Sequence, residues 1–444
     1  MNRKFKTAFR AARRGVITIK AAMLLLALMG IVACALDIGW MAMTKTQLQA
    51  AADSAALAGG TQLMPGLGFR PTQTSSQVFY NSGMMAVDFA SRNPNGDVSN
   101  SYANYFQDIS LGNTYFDPSI GQFRKSWGQT PYNMVRVTLH RDRDSGDDGK
   151  LRLFFGAVLG HDTIGLQVRA TAAIMPAGGI RIAPGSSQLA NIMPFTIHTS
   201  EWGRYQRAQT HYNNVLNSNP NSINSSYWDS TTQRPLYFDY TSSNSGSGNG
   251  GGTELRQTYF DNLRFNASDG KVLSGSDGAL EIDAYPRARI APLGGNTSGN
   301  SGTIDFGDPS NSTSDLERQI RYGLNASDLA YYNNSEINIS SSTPFYAEAD
   351  TGISSGMEAA LNDVAGQTRV IALFDQLVNP GNTAEYRLIG LAGVRVMKSK
   401  LSGSTSSKYM YLQLAPTVLS GGVADMNSQV TGSTTVFTPL ILIE

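Results

Sequence analysis

Acid is missing from the front of this chain. Six cations, Arg3, Lys4, Lys6, Arg10, Arg13 and Arg14, stand in the first fourteen residues, and the first acidic residue is Asp37. Cysteine is nearly missing throughout. Cys34 is the single copy, which excludes an intramolecular disulfide and a cysteine metal cluster. Histidine is scarce: His140, His161, His198 and His211 are the four, and no two stand in an HExxH spacing. Charged residues make up 16% of the chain, below the roughly 25% of ordinary globular domains. The net charge of +1 gives no general attraction to nucleic acid. No phosphate-cradling glycine loop, dinucleotide fingerprint or GxSxG elbow appears. The sequence therefore offers no catalytic residue and no cofactor site, and the expectation is a protein that is not an enzyme.

What replaces the charge is Asn, Ser, Thr and Gly, the composition of an exported β-rich body with long polar loops. Residues 16–36 form an apolar run broken by Thr18 and Lys20. A bilayer needs about 20 apolar residues for a helical crossing. Lys20 lies near one end of the run, where a lysine snorkels to the headgroups. The preceding cations fix orientation, because basic flanks stay cytoplasmic. Residues 1–15 are thus expected to be cytoplasmic, residues 16–36 to cross the inner membrane, and the rest to be exported. Three processing alternatives stay open: cleavage after Ala33-Cys34-Ala35, a lipobox with Cys34 lipidated, and a prepilin-type cut after Gly15, where Lys20 replaces the usual glutamate.

A cleaved leader is normally followed by a change of pattern. Here a helical pattern continues through residues 37–60. Met41, Leu48, Ala51, Ala52, Ala55 and Ala58 fall on one side, and Lys45, Gln49 and Asp53 on another. Alanine is the best helix former, and Gly59-Gly60 supplies a stop. One helix is expected to leave the membrane and carry on as an amphipathic stem.

Arg14-Gly15, the apolar run, Leu36-Asp37-Ile38-Gly39 and the stretch from Thr46 to Gly59 together resemble the N-terminal segment of TadE/TadG-like proteins of the tight-adherence (Flp) pilus assembly system. A weaker likeness continues through Phe154 to Gly160 and Ala170-Thr171-Ala172. The resemblance implies a retained anchor with an exported body. It also implies work in pilus assembly beside other pilin-like or assembly proteins, or beside a second copy of the chain as a homo-oligomer. The expected mechanism is helix packing by Asp37, Gly39, Leu48, Ala51, Ala52, Asp53, Ala55 and Ala58, with the small residues admitting a partner helix closely.

The expected fold class is α+β. Residues 61–180 read as a helix near 76–92 followed by an antiparallel sheet that includes Met134 to His140, Leu151 to Phe155 and Thr163 to Met175. Residues 181–444 read as a β-rich region with low-complexity loops near 242–252 and 294–314. Within it, helices are expected between Asp315 and Leu329 and at Met357 to Leu361. Strands are expected at Arg369 to Phe374, as a hairpin of Tyr386 to Met397 with Lys408 to Leu414, and at Val436 to Ile443.

Three places have some metal-binding chemistry. Arg141 to Gly149 is acidic but lacks the alternating ligands of a calcium loop, and a hairpin tip accounts for it. His198, His211 and Glu201 lie in one stretch. Asp239, Thr241 and Ser243 fit D-x-T-x-S and resemble the first metal-binding loop of von Willebrand factor type A domains, although a glycine-rich segment follows where a helix belongs. A strand ending in a polar turn is the competing reading there. An adhesin or ligand-binding protein, lipid-anchored at Cys34 or holding a divalent metal at Asp239, is the alternative function.

Overall fold

The computed structural model describes residues 4–143, 148–218, 228–229, 234–235, 259–285, 301–307, 312–350, 354–378, 384–404 and 407–443. Helix α1 runs unbroken over Lys4–Gly60. Residues 17–36 of it stand largely clear of the protein, with Ile17, Leu24, Met29 and Val32 each more than half exposed. Its last five turns are embedded in the body: Leu48, Ala51, Ala52, Ala55 and Ala56 are fully buried.

What buries them is the chain itself. Helix α2, Ser75–Ser91, lies against α1. It starts at a capping box in which the Thr74 hydroxyl and the Gln77 side chain exchange bonds with each other's backbone N–H groups, so the first turn has acceptors for its free donors. Both helices cover a five-stranded antiparallel sheet. The order is β2 (Gln122–Trp127), β1 (Ile109–Asp117), β3 (Met134–Arg141), β4 (Leu166–Ala173) and the C-terminal strand Ile441–Leu442. Along β3, Val135, Val137 and Leu139 alternate toward the helices, and Val168, Ala170 and Ala172 do so from β4. The period of two in a strand places one such row on one face. Val137 pairs with Ala170 across the ladder.

The close fit of α1 rests on small residues. A Cβ placed on Gly59 would meet the Ser82 carbonyl oxygen at 2.9 Å and the Ala86 Cβ at 3.1 Å. The Ser82 hydroxyl donates to the Gly59 carbonyl at 2.7 Å. Gly59-Gly60 does mark the end of the helix, yet Gly59 also serves close helix–helix approach, which the sequence reading did not include.

The second layer is larger. Strands β5 (Ile192–His198), β6 (Glu281–Asp283), β7 (Ser301–Ile304), β8 (Phe345–Asp350), β9 (Thr368–Val378), β10 (Glu385–Lys400) and β11 (Tyr409–Leu414) make one sheet. The ladder runs β10–β8–β7–β5–β9 and returns from β9 to β10, closing a ring of five strands. Closure removes the open edges of those strands. The β5–β9 pairing is parallel. β10 is long enough to pair β11 with its second half, and β11 pairs β6. Alternate residues feed two cores. Ile192, Val370, Ala372 and Phe374 join one. Met193, Phe195, Ile197, Ile371 and Leu373 join the other, under helices α3 (Thr199–Ser218), α4 (Thr313–Tyr322) and α6 (Met357–Asp363).

The fold is α+β, as expected from the sequence. Several boundaries differ. The single helix expected between Asp315 and Leu329 is two, α4 and the one-turn α5 (Ala326–Leu329), because Gly323 leaves the helix with φ of 83°. Leu151 to Phe155 pairs over Leu151–Arg152 alone and then turns into a 3-10 helix, Gly156–Leu159. Val436 to Ile443 divides into Val436–Phe437, parallel to Thr417–Val418, and Ile441–Leu442 in the first sheet. The chain end therefore returns across the division read at residue 180. Phe437 lies in the core with Leu48 and Ala52, and the half-buried Leu440 packs against it.

Candidate functional site: the junction of helix and body

The point where α1 passes from exposed to buried is held by Asp37. Its carboxylate is 7% exposed, in a helix whose neighbours Leu36 and Ile38 are more than half exposed. It accepts hydrogen bonds from the backbone N–H of Phe154 at 2.8 Å and of Phe155 at 3.1 Å. One turn further on, the Trp40 indole N–H donates to the Arg152 carbonyl at 3.2 Å, and its ring meets that of Phe154 with centroids 5.5 Å apart. The segment 153–160 is thereby fastened to the side of the helix. It carries Phe154, Phe155 and Val158 outward at 66%, 42% and 86% exposure. Between it and the helix lies a groove of about 760 Å³, lined by Leu26, Gly30, Cys34, Phe155 and Val158.

The residues expected to pack helices divide here. Leu48, Ala51, Ala52, Ala55 and Ala58 face the chain's own sheet and α2, and are at most 7% exposed. Asp53 is half-buried and accepts from the Gln49 amide at 2.8 Å, while that amide also donates to the Arg169 carbonyl on β4. Gly39 is exposed, and a Cβ there would meet nothing. The face expected to receive a partner helix is therefore filled from within. Sequence periodicity finds such a face but not what covers it. The contact between Asp37 and Phe154 joins residues 117 positions apart, and no local signal reveals it.

Of the metal candidates, Asp239, Thr241 and Ser243 lie outside the described residues, as do residues 144–147. The rest of the acidic stretch is engaged. Arg141, 1% exposed, donates to the Asn95 carbonyl and side chain, to the Gly149 carbonyl and to Asp97. Asp148 accepts from Asn95 and from the Tyr102 N–H. His198 bonds Ser200 and the Asp375 carbonyl, and burial lowers its pKa. Glu201 instead accepts from the Tyr259 hydroxyl. His140 lies between Asp108 and Asp142, and His161 is exposed in the loop after the 3-10 turn. Among the described residues, no three His, Cys, Asp or Glu side chains group as a metal site.

Sequence reasoning missed a set of interior acids beneath the second sheet. Glu281 is fully buried, accepting from the Asn262 N–H and Gln413 amide, each at 2.9 Å, and from the Leu263 N–H. Burial pushes its carboxyl up to about 9 despite those donors. Asp261 accepts from Tyr212, Ser276 and two backbone N–H groups, and burial raises it as well. These oxygens point at protein donors, so the network knits loops 259–285 to β11 and α3. A buried carboxyl with its donors supplied is what a satisfied polar core requires.

The fold and junction define a class: an α+β body built directly onto a helix long and apolar enough to cross a membrane. Comparison with known families agrees. Residues 15–62 match the Tad family, described as Flp pilus-assembly TadE/G-like, and that segment coincides with the exposed and the embedded parts of α1. No curated protein and no solved structure matches the chain.

Proposed function

We propose that this protein is a non-enzymatic envelope component that works in Flp-type pilus assembly. Helix α1 is its single membrane anchor, retained after synthesis. Its basic end stays in the cytoplasm, and the α+β body lies on the exported side of the inner membrane. The observation that carries this reading is the match over residues 15–62 falling on one continuous helix, half of it apolar and exposed and half of it core. From residue 17 to residue 36 the helix is about 30 Å long at ~1.5 Å per residue, the thickness of a bilayer's hydrocarbon. The cations before the run set the orientation.

Partners are met through the apolar half. The alanine half acts in packing within the chain, which is supported by the burial of Leu48, Ala51, Ala52, Ala55 and Ala56. A helix fused without a hinge to its body transmits the position of one to the other, the property an assembly component uses. The test is genetic and chemical together. Cells lacking this chain lose Flp-type pili, and the full chain restores them while a chain without residues 16–36 does not. The membrane-extracted protein has the intact mass of a chain that keeps residues 1–36. Normal piliation without the chain, or a product starting at acylated Cys34, overturns the reading.

A further inference from the structure

We propose that the segment Leu153–Gly160 is a second membrane-contacting element, a short loop that seats Phe154, Phe155 and Val158 among the acyl chains of the leaflet on the body's side. The proposal rests on the anchored reading above and adds to it a lipid-binding site in the body. Four observations carry it.

The first is place. The loop is fastened along α1 at Asp37 and Trp40, and its apolar tips reach back beside Leu26, Gly30 and Cys34. Those helix positions are inside the apolar run, so a bilayer around the run also surrounds the tips. The second is composition. From Leu153 to Gly160 there is no charged or hydrogen-bonding side chain, and the flanking charges, Arg152 and Asp162, are at the two necks. The third is exposure. Val158 at 86% and Phe154 at 66% are among the most exposed large apolar side chains described, which water disfavours by roughly 25 cal/mol for each Å² of apolar surface.

The fourth is the backbone. Hydrocarbon tolerates irregular chain only where its N–H groups have partners. Here the N–H groups of Phe154 and Phe155 go to Asp37. Those of Leu153, Val158, Gly160 and His161 go to the carbonyls of Asp162, Phe155, Ala157 and Gly156. A carboxylate placed in the wall of a membrane helix is costly unless it is engaged; Asp37 engages the loop and so pays for both. Trp40 and Arg152 beside it are the residue types that favour the headgroup boundary. The apolar groove thus has one occupant that all four features suit, a lipid tail.

The test uses one reporter at a time in the full chain with Cys34→Ala. Val158→Cys carries an environment-sensitive fluorophore, and Leu25→Cys, on the exposed face of the apolar run, carries the reference label. Each protein is placed in phosphatidylcholine–phosphatidylglycerol vesicles with nitroxides on the lipid tails, and separately exposed to aqueous iodide. The expected result is a blue-shifted Val158 label that the tail nitroxides quench strongly and iodide does not, as for Leu25. Iodide quenching at Val158 with lipid quenching at Leu25 overturns the loop proposal and leaves the anchor standing. Absence of lipid quenching at both sites overturns the anchor and the loop together. Shielding of Val158 from both quenchers means that protein, a second copy of the chain, fills the groove, and the lipid assignment fails.

Discussion

Helix α1 is one element in two surroundings. Over residues 17–36 its side chains are mainly Leu, Ile, Val, Met and Ala, and most are exposed. Over residues 48–60 they are mainly Ala and Gly with Leu48, and most are buried. Both halves are apolar, yet size separates them. Large side chains leave apolar area exposed around the helix, whereas small ones let a sheet and a second helix approach the helix backbone. A hydropathy scan sees one continuous property; packing sees two.

The contrast can be broken at several points. The largest effect is expected from Leu48→Ala, which empties a fully buried position between α1 and the first sheet. Such a cavity costs about 2–5 kcal/mol, and the thermal midpoint of the detergent-solubilised body falls accordingly. Leu25→Ala, in the exposed half, leaves that midpoint unchanged. Equal losses from both would mean that the halves do not differ. Next comes Ala52→Leu. Its added methylenes have no space beneath α2 and β4, and overpacking costs about 1–3 kcal/mol. Calorimetry of the body is the measurement. An unaltered body combined with lost partners would return the alanine face to an intermolecular role.

The interior acids sharpen the comparison from the other side, because residues 17–36 contain no Asp or Glu. Glu281 titrates at about 9 in the fold against an ordinary 4.5. Between those values the native state holds a proton that the unfolded chain has lost. Its contribution is therefore complete below pH 4.5, declines as pH rises, and is gone above about 9. One proton corresponds to about 1.4 kcal/mol per pH unit. Glu201 and Asp261, also raised by burial, act in the same direction. Denaturant titrations from pH 5 to pH 9 should show a shallower fall for Glu281→Gln than for the native chain, and parallel lines would refute the assignment. The smallest effect is expected from Asp37→Asn. It keeps one acceptor oxygen for the Phe154 and Phe155 N–H groups but loses charge assistance, a change of about 1 kcal/mol. Faster hydrogen exchange at those two amides, with the β3–β4 ladder unaffected, is the signature.

Much of the architecture was legible before the structure. The continuous helix, α2, β3, the hairpin of β10 with β11 and the α+β class all follow from local pattern, because period and capping are local. The junction was half legible. Asp37 stood out as the first acid of the chain, but its partners are backbone amides of a loop far along the sequence. The alanine face was visible as a face, and its owner was not. The C-terminal strand was legible as a strand at Val436 to Ile443, but not its return to the first sheet, since two residues of ladder carry no address. The ring of five strands was not readable at all, because closure depends on β10 pairing on both sides.

The sequence by itself determined that one long helix would form, that half of it suits a bilayer, and which end carries the cations; these depend on residues within a few turns of one another. Only the tertiary structure decided that the alanine half is core, that Asp37 holds a loop against the helix, and that three exposed apolar side chains stand at the edge of the apolar run. Each of those depends on contacts between segments distant in sequence, 117 positions apart for Asp37 and Phe154, and chain entropy leaves such contacts open until packing selects them.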